Sequence, residues 1–193
     1  MRLFAAISCL LILSACATDH CGVKTVSGRC LGSGEYQYID IEESRLTSIP
    51  DIKKRIKKVK ARSLHSHYQE VVYLNNGVFL AERYYRGGFY DYFSDDRFRK
   101  FAAAWTVIGK KIDPDELKTI HSKEAVTYAL FNRANKQCIF GRTLFGHSVE
   151  LEGGSGKQAL LTGFICVPEN YDKDILAKEY ISGVGKVKLK ANR

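Results

Sequence analysis

Tyr68-Gln69-Glu70-Val71-Val72-Tyr73-Leu74, then Asn75-Asn76-Gly77, then Val78-Phe79-Leu80-Ala81-Glu82-Arg83-Tyr84-Tyr85 is the stretch whose reading decides the fold. Two β-prone runs flank an Asn-Gly step, and because both of those residues tolerate positive φ the pattern predicts a β-hairpin. A second pair of apolar, β-prone runs, Cys138 to Phe145 and Gln158 to Val167, flanks Gly153-Gly154-Ser155-Gly156, a flexible connection between antiparallel strands. Glu35 to Ile41 reads as a first strand, and Ala125 to Asn132 reads as a strand rather than a helix.

Helical spacing interrupts these strands. Phe98, Phe101, Trp105, Ile108 and Ile112 recur at 3 and 4 residues behind Ser94, a capping residue, with Asp95 and Asp96 in the first turn. Asp113-Pro114 has the cap-then-proline order of a short helix to about His121, and Asp172 to Ile181 reads as a last helix ended by Gly183. Ile49, Ile52, Ile56 and Val59 at 3, 4, 3 spacing predict a helix from Asp51 to Arg62. Without regular β-α-β alternation, this order predicts an α+β fold, a mainly antiparallel sheet with helices packed on one face. The length suits a single domain over residues 35–182, followed by a basic tail at 183–193.

The N-terminus carries one charge, Arg2, before an apolar run from Leu3 to Leu13. That run is shorter than the ~20 residues a bilayer-spanning helix needs, so it reads as the core of an export signal. Leu13-Ser14-Ala15-Cys16 resembles the lipobox of bacterial lipoproteins. The resemblance implies a signal peptide at 1–15 and lipid attachment at Cys16; Gly22, Gly28, Gly32 and Gly34 among few apolar side chains suit a lipidated tether over 16–34 with a small disulfide loop. Ala17 in place of Asp after the cysteine implies, by the enteric rule, delivery to the outer membrane, facing the periplasm of a Gram-negative envelope. The layout of Cys138, a glycine hairpin and Gly163 three residues before Cys166 is similar to the C-terminal part of small alphaproteobacterial surface-antigen lipoproteins, although their glycine-rich middle segment is missing here.

With Cys9 in the leader and Cys16 lipidated, Cys21, Cys30, Cys138 and Cys166 remain, an even number in an exported chain, which reads as disulfides. Of three pairings, Cys21 with Cys30 and Cys138 with Cys166 are expected, since the first pair brackets a short glycine-containing loop and the second lies at matching ends of a hairpin. Charge is as uneven as cysteine usage. The formal net charge is +9, or +8 without Arg2. Lys53, Lys54, Arg55, Lys57, Lys58, Lys60 and Arg62 carry seven of these charges with no acid among them; Lys186, Lys188, Lys190 and Arg193 carry four more, so the remainder is net negative. Like charges at i, i+4 destabilise a helix and favour a partner that neutralises them, an anionic lipid, peptidoglycan or envelope protein.

Catalytic motifs are wanting. Gly153 to Lys157 is followed by Gln158 and a strand, so it offers neither a magnesium-binding hydroxyl nor a helix N-terminus to phosphate. His65 and His67 are a two-residue pair with no third ligand at metal spacing. Glu42-Glu43, Asp95-Asp96 and Asp113 with Asp115 sit where capping explains them. Arg83 to Phe93 interleaves cations and rings around Gly87-Gly88, making Tyr84, Tyr85, Arg86 and Tyr90 a candidate ligand cluster better suited to sugar than to nucleic acid. The expectation is therefore a lipid-anchored envelope protein with a binding or structural role and no metal or cofactor. An envelope glycan hydrolase with a folded-together carboxylate pair is the alternative.

Overall fold

The computed structural model describes residues 23–24, 30–31, 34–44, 46–47, 53–64, 67–84, 87–90, 94–105, 113–123, 125–152, 154–185 and 188–189. The expected export signal, Cys16 and Cys21 lie outside them. In chain order the strands are β1 (Val23–Lys24), β2 (Cys30–Leu31), β3 (Gln37–Ile39), β4 (Leu46–Thr47), β5 (Ile56–Ser63), β6 (His67–Leu74), β7 (Gly77–Tyr84), β8 (Phe89–Tyr90), β9 (Thr119–His121), β10 (Val126–Arg133), β11 (Lys136–Leu151), β12 (Gly154–Pro168) and β13 (Lys188–Leu189). The helices are α1 (Asp95–Ala104) and α2 (Lys173–Gly185).

One nine-stranded antiparallel sheet in the order β3-β5-β6-β7-β12-β11-β10-β9 dominates, with β8 added beside β12. The predicted hairpin is β6–β7. Gly77, however, is needed for a reason other than a left-handed turn. A Cβ there would lie 2.1 Å from the Phe164 carbonyl oxygen, because the turn is drawn against β12, where Cys166 N donates to Asn76 O at 2.7 Å and Asn76 Nδ2 donates to Cys166 O at 3.1 Å. The β10–β11 turn does take positive φ, at Ala134 and Asn135. The second expected hairpin is β11–β12, and its glycines are absorbed into the pairing, Gly156 opposite Val149 and Gly154 opposite Leu151. Cys138 and Cys166 stand directly opposite each other and form the expected disulfide. Cys30 is also disulfide-bonded.

Alternation along the strands sends successive side chains to opposite faces, and each face carries its own core. Ile139 joins Val59, Ala61, Tyr68, Val72, Phe79 and Leu161 with Leu176, Ala177, Tyr180 and Val184 of α2. Its neighbour Phe140 joins Phe164, Ala129 and Phe131 with Phe98 and Ala102 of α1. The helices therefore cover opposite faces, which corrects the expectation that they share one. Each has an apolar stripe that a separate half of the sheet's hydrophobic surface buries. On the α2 face two facing glycines, Gly141 and Gly163, form a recess: a Cβ on Gly163 would meet the Phe79 ring at 2.1 Å, and one on Gly141 would meet Tyr180 Cε1 at 2.5 Å. Tyr180 fills it, donating its hydroxyl to the Gly163 carbonyl at 2.7 Å and stacking on Phe79.

Three helical expectations are corrected. The helix expected over Asp51 to Arg62 is replaced, among the described residues, by strand β5 over Ile56–Ser63. Val59, Ala61 and Ser63 are buried at every second position, and flanking β3 and β6 take up the backbone hydrogen bonds, so burial and pairing outweigh a sparse isoleucine spacing. The segment beginning at Asp113 is a single 3-10 turn, Pro114–Glu116, followed by strand β9. Helix α1 starts as expected, with Ser94 Oγ accepting from Arg97 N at 3.3 Å, but ends at Ala104, where extended Trp105 turns its ring onto Phe140 and Phe164.

Candidate functional site

Strand β5 brings the basic segment to the α1 face of the sheet at the edge away from α1. Val59, Ala61 and Ser63 point into the α2-side core, so Lys58, Lys60 and Arg62 point the other way, side by side along one strand. A register irregularity between Ile56 and Lys58 leaves both Lys57 and Lys58 exposed. Lys53 and Lys54 are exposed before the strand, whereas Arg55 is partly buried and its carbonyl accepts from Asn75 N.

The neighbouring strands supply rings under these cations. Register places Tyr38 opposite Lys60 and Tyr73 opposite Lys58. Lys60 Nζ lies 4.6 Å from the Tyr38 centroid, Lys58 Nζ 4.6 Å from the Tyr73 centroid, and Arg62 Cζ 4.3 Å from the Tyr36 centroid, all within cation–π range. Arg62 is the most firmly held. Its Nε donates to Gln69 Oε1 at 2.6 Å and its Nη1 to the Gly34 carbonyl at 3.2 Å, while the Tyr36 hydroxyl donates to the same Gln69 oxygen at 3.0 Å. Gln69 Nε2 donates in turn to Glu82, the acid on this face opposite Gln69. Hydrogen bonding by Lys60 and the charge of Lys58 pull the Tyr38 phenol below its ordinary value. Burial pushes Tyr36 up, more strongly than Arg62 pulls it down. With Tyr38 59% exposed, the face presents fixed cations on an aromatic layer open to water.

The other candidates are placed differently. Tyr84 does not stand free beside a ligand groove: its ring packs on His67 at 5.0 Å and Phe89 at 4.9 Å. Tyr85, Arg86 and the Tyr90 side chain fall outside the described residues. His67 is thus part of an aromatic contact, and His65 is not described. Among the described residues no group of three or more His, Cys, Asp or Glu could hold a metal ion. Lys157 Nζ donates to Ser148 Oγ at 2.8 Å across the β11–β12 hairpin, not to a phosphate cradle. Two of the acid pairs cap turns, Glu43 Oε2 accepting from Asp40 N and Asp113 Oδ1 from Asp115 N, whereas Asp95 pairs with His121 Nε2 at 2.7 Å and Asp96 with Lys100 at 2.9 Å. Glu70 is fully buried, accepting from the Ser44 and Tyr68 hydroxyls.

Sequence reasoning missed Tyr36, Tyr38, Gln69 and Tyr73 as members of the basic site. The signal was present as strict alternation, Val59-Lys60-Ala61-Arg62-Ser63 and Tyr36-Gln37-Tyr38, which a strand period would have aligned. No helix among the described residues is long and apolar enough to cross a membrane. The site thus defines a class, a mainly antiparallel sheet protein with one cationic, tyrosine-backed face. Set against known protein families, curated proteins and solved structures, the chain matches none of them.

Proposed function

We propose that this is a lipid-anchored envelope protein, tethered through Cys16, that works by binding and not by catalysis, and that its ligand is an anionic surface of the envelope. The observation that carries the reading is the row Lys58, Lys60 and Arg62 laid over Tyr73, Tyr38 and Tyr36. A solvated basic strand would leave its long side chains mobile; here each cation is fixed on a ring, so less rotamer freedom is lost when a ligand arrives. Phosphate or carboxylate groups complement such a face.

Each cation near an anionic surface contributes about 1 kcal/mol. Replacing all three by glutamine should therefore weaken binding by roughly tenfold to a hundredfold, allowing for solvent screening of exposed groups. The test uses the chain from Ala17 onward, which keeps every described residue, and cosedimentation with anionic envelope material at rising salt. Binding that falls steeply with salt in the parent, and is lost in Lys58→Gln/Lys60→Gln/Arg62→Gln, supports the reading. Equal, salt-independent binding by both proteins, or none by the parent at low salt, refutes it.

A further inference from the structure

Resting on the reading just given, we infer that the ligand of the β5 face is the acidic phospholipid of the same bilayer that carries the anchor, so that the domain lies with this face on its own membrane. Three observations lead there. The first is continuity with the tether. Gly34, where the expected tether ends, is bound to β5 itself: Gly34 N donates to Ser63 O at 3.1 Å, and Arg62 donates to the Gly34 carbonyl. The chain arriving from Cys16 seats Leu31 in the α2-side core and then meets β5 at Gly34, so it joins the domain at the sheet edge that carries the cations.

The second observation is shape. The cations of β5 and the rings of Tyr38 on β3, Tyr73 on β6 and Tyr36 just before β3 share one face of the sheet across adjacent strands. A row of charges spread over one open sheet face complements a layer of headgroups. A single polymer strand is more often held in a groove with walls on both sides of it. The third is the character of the rings. Tyrosine presents an apolar body and a polar tip, suited to the boundary between headgroups and acyl chains, and Tyr38 is the large, exposed one at the sheet edge. Lys58 and Lys60 hold their ammonium groups over these rings, where headgroup phosphates can reach them.

Anchoring then changes what affinity is required. From Cys16 to Val23, where β1 pairs with β2 and Leu31 enters the core, is 7 residues, a fully extended reach of at most about 25 Å, so a lipidated chain holds the face near its own leaflet at an effective concentration of the order of millimolar. A surface with weak affinity in free solution would be occupied almost always once tethered. Arg62 has a second part in this: besides adding its charge to the face, its bonds to Gly34, Gln69 and the Tyr36 ring position the junction, while Lys58 and Lys60 meet the lipid.

The experiment separates this inference from the broader function. The chain from Ala17 onward is mixed in parallel with phosphatidylcholine vesicles, with phosphatidylcholine vesicles containing phosphatidylglycerol, and with purified peptidoglycan sacculi. The expected result is at least tenfold stronger binding to the phosphatidylglycerol vesicles than to either other material, lost in Lys58→Gln/Lys60→Gln. Tyr38→Ala should weaken it several-fold, while Tyr38→Trp restores it. Salt-sensitive binding to sacculi at or above the level on acidic vesicles would overturn the lipid assignment and leave the anionic-surface function standing. Binding to neither would refute both. Circular dichroism of each variant distinguishes a lost ligand contact from a lost fold.

Discussion

Tyr180 shows how one side chain on the last helix is tied to the middle of the sheet. Its hydroxyl reaches the Gly163 carbonyl, its ring occupies the space that a Cβ on Gly141 would claim, and burial pushes its phenol far above the ordinary value of 10.0. Below about pH 10 the phenol is neutral in both folded and unfolded chains, so its contribution is fully present. Above that value the unfolded chain ionises Tyr180 and the folded chain does not, so stability is lost as pH rises. Tyr180→Phe should therefore start about 1 kcal/mol less stable at pH 7, through the lost hydrogen bond, yet decline less steeply in alkali. Tyr36, also raised, adds the same trend to both proteins. Urea unfolding at a series of pH values up to 11 measures it, and curves that stay parallel would contradict the account. None of this was legible in the sequence, because the recess depends on Gly141 and Gly163 being brought opposite each other by strand register.

At the scale of elements, what could be read was what depends on neighbours in the chain. The β6–β7 hairpin, the Ser94 cap and the Cys138–Cys166 pair follow from two β-prone runs close together in the chain, local capping and matching positions on two strands, although the Asn-Gly step itself takes no positive φ. The basic segment could not be read the same way. Ile49, Ile52, Ile56 and Val59 satisfy a helical period, but β5 is decided by partners at Gln37 to Ile39 and Tyr68 to Leu74, and a one-residue step in period changes which cations share a face. The candidate site was therefore half legible: its cations were named, while the tyrosines beneath them came from other strands. The disulfide carries its own prediction. It closes a sequence separation of 28, which in the chain-entropy picture is worth roughly 3 to 4 kcal/mol. Cys138→Ala/Cys166→Ala should lower the urea midpoint accordingly while leaving binding by the distant β5 face unchanged; a variant as stable as the parent would show that the pairing of β11 with β12 already holds those ends.

Across the whole molecule the large sheet is two antiparallel sets, β3-β5-β6-β7 and β12-β11-β10-β9, meeting at one seam where β7 pairs with β12. The residues paired there are far apart in sequence, Phe79 with Gly163 for instance, whereas each set is built largely from short-range hairpins. Long-range pairing of this kind closes slowly. Helix α2 lies over the α2 face beside the seam, with Leu176, Ala177, Tyr180 and Val184 in its core. A chain ending at Asp172 should keep much of its strand content by circular dichroism but bind a hydrophobic dye strongly and unfold without a sharp transition. If it unfolds as cooperatively as the parent, the helix is a cover and not part of the seal.

The position of α2 also has a meaning in time. Every strand of the large sheet precedes it, so a chain delivered N-terminus first lays down the recess at Gly141 and Gly163 before it owns the tyrosine that fills it. Until that last helix arrives, the half-built protein exposes an apolar slot beside its slowest-closing joint, and this interval is when a chaperone or a second unfinished copy would find a place to bind.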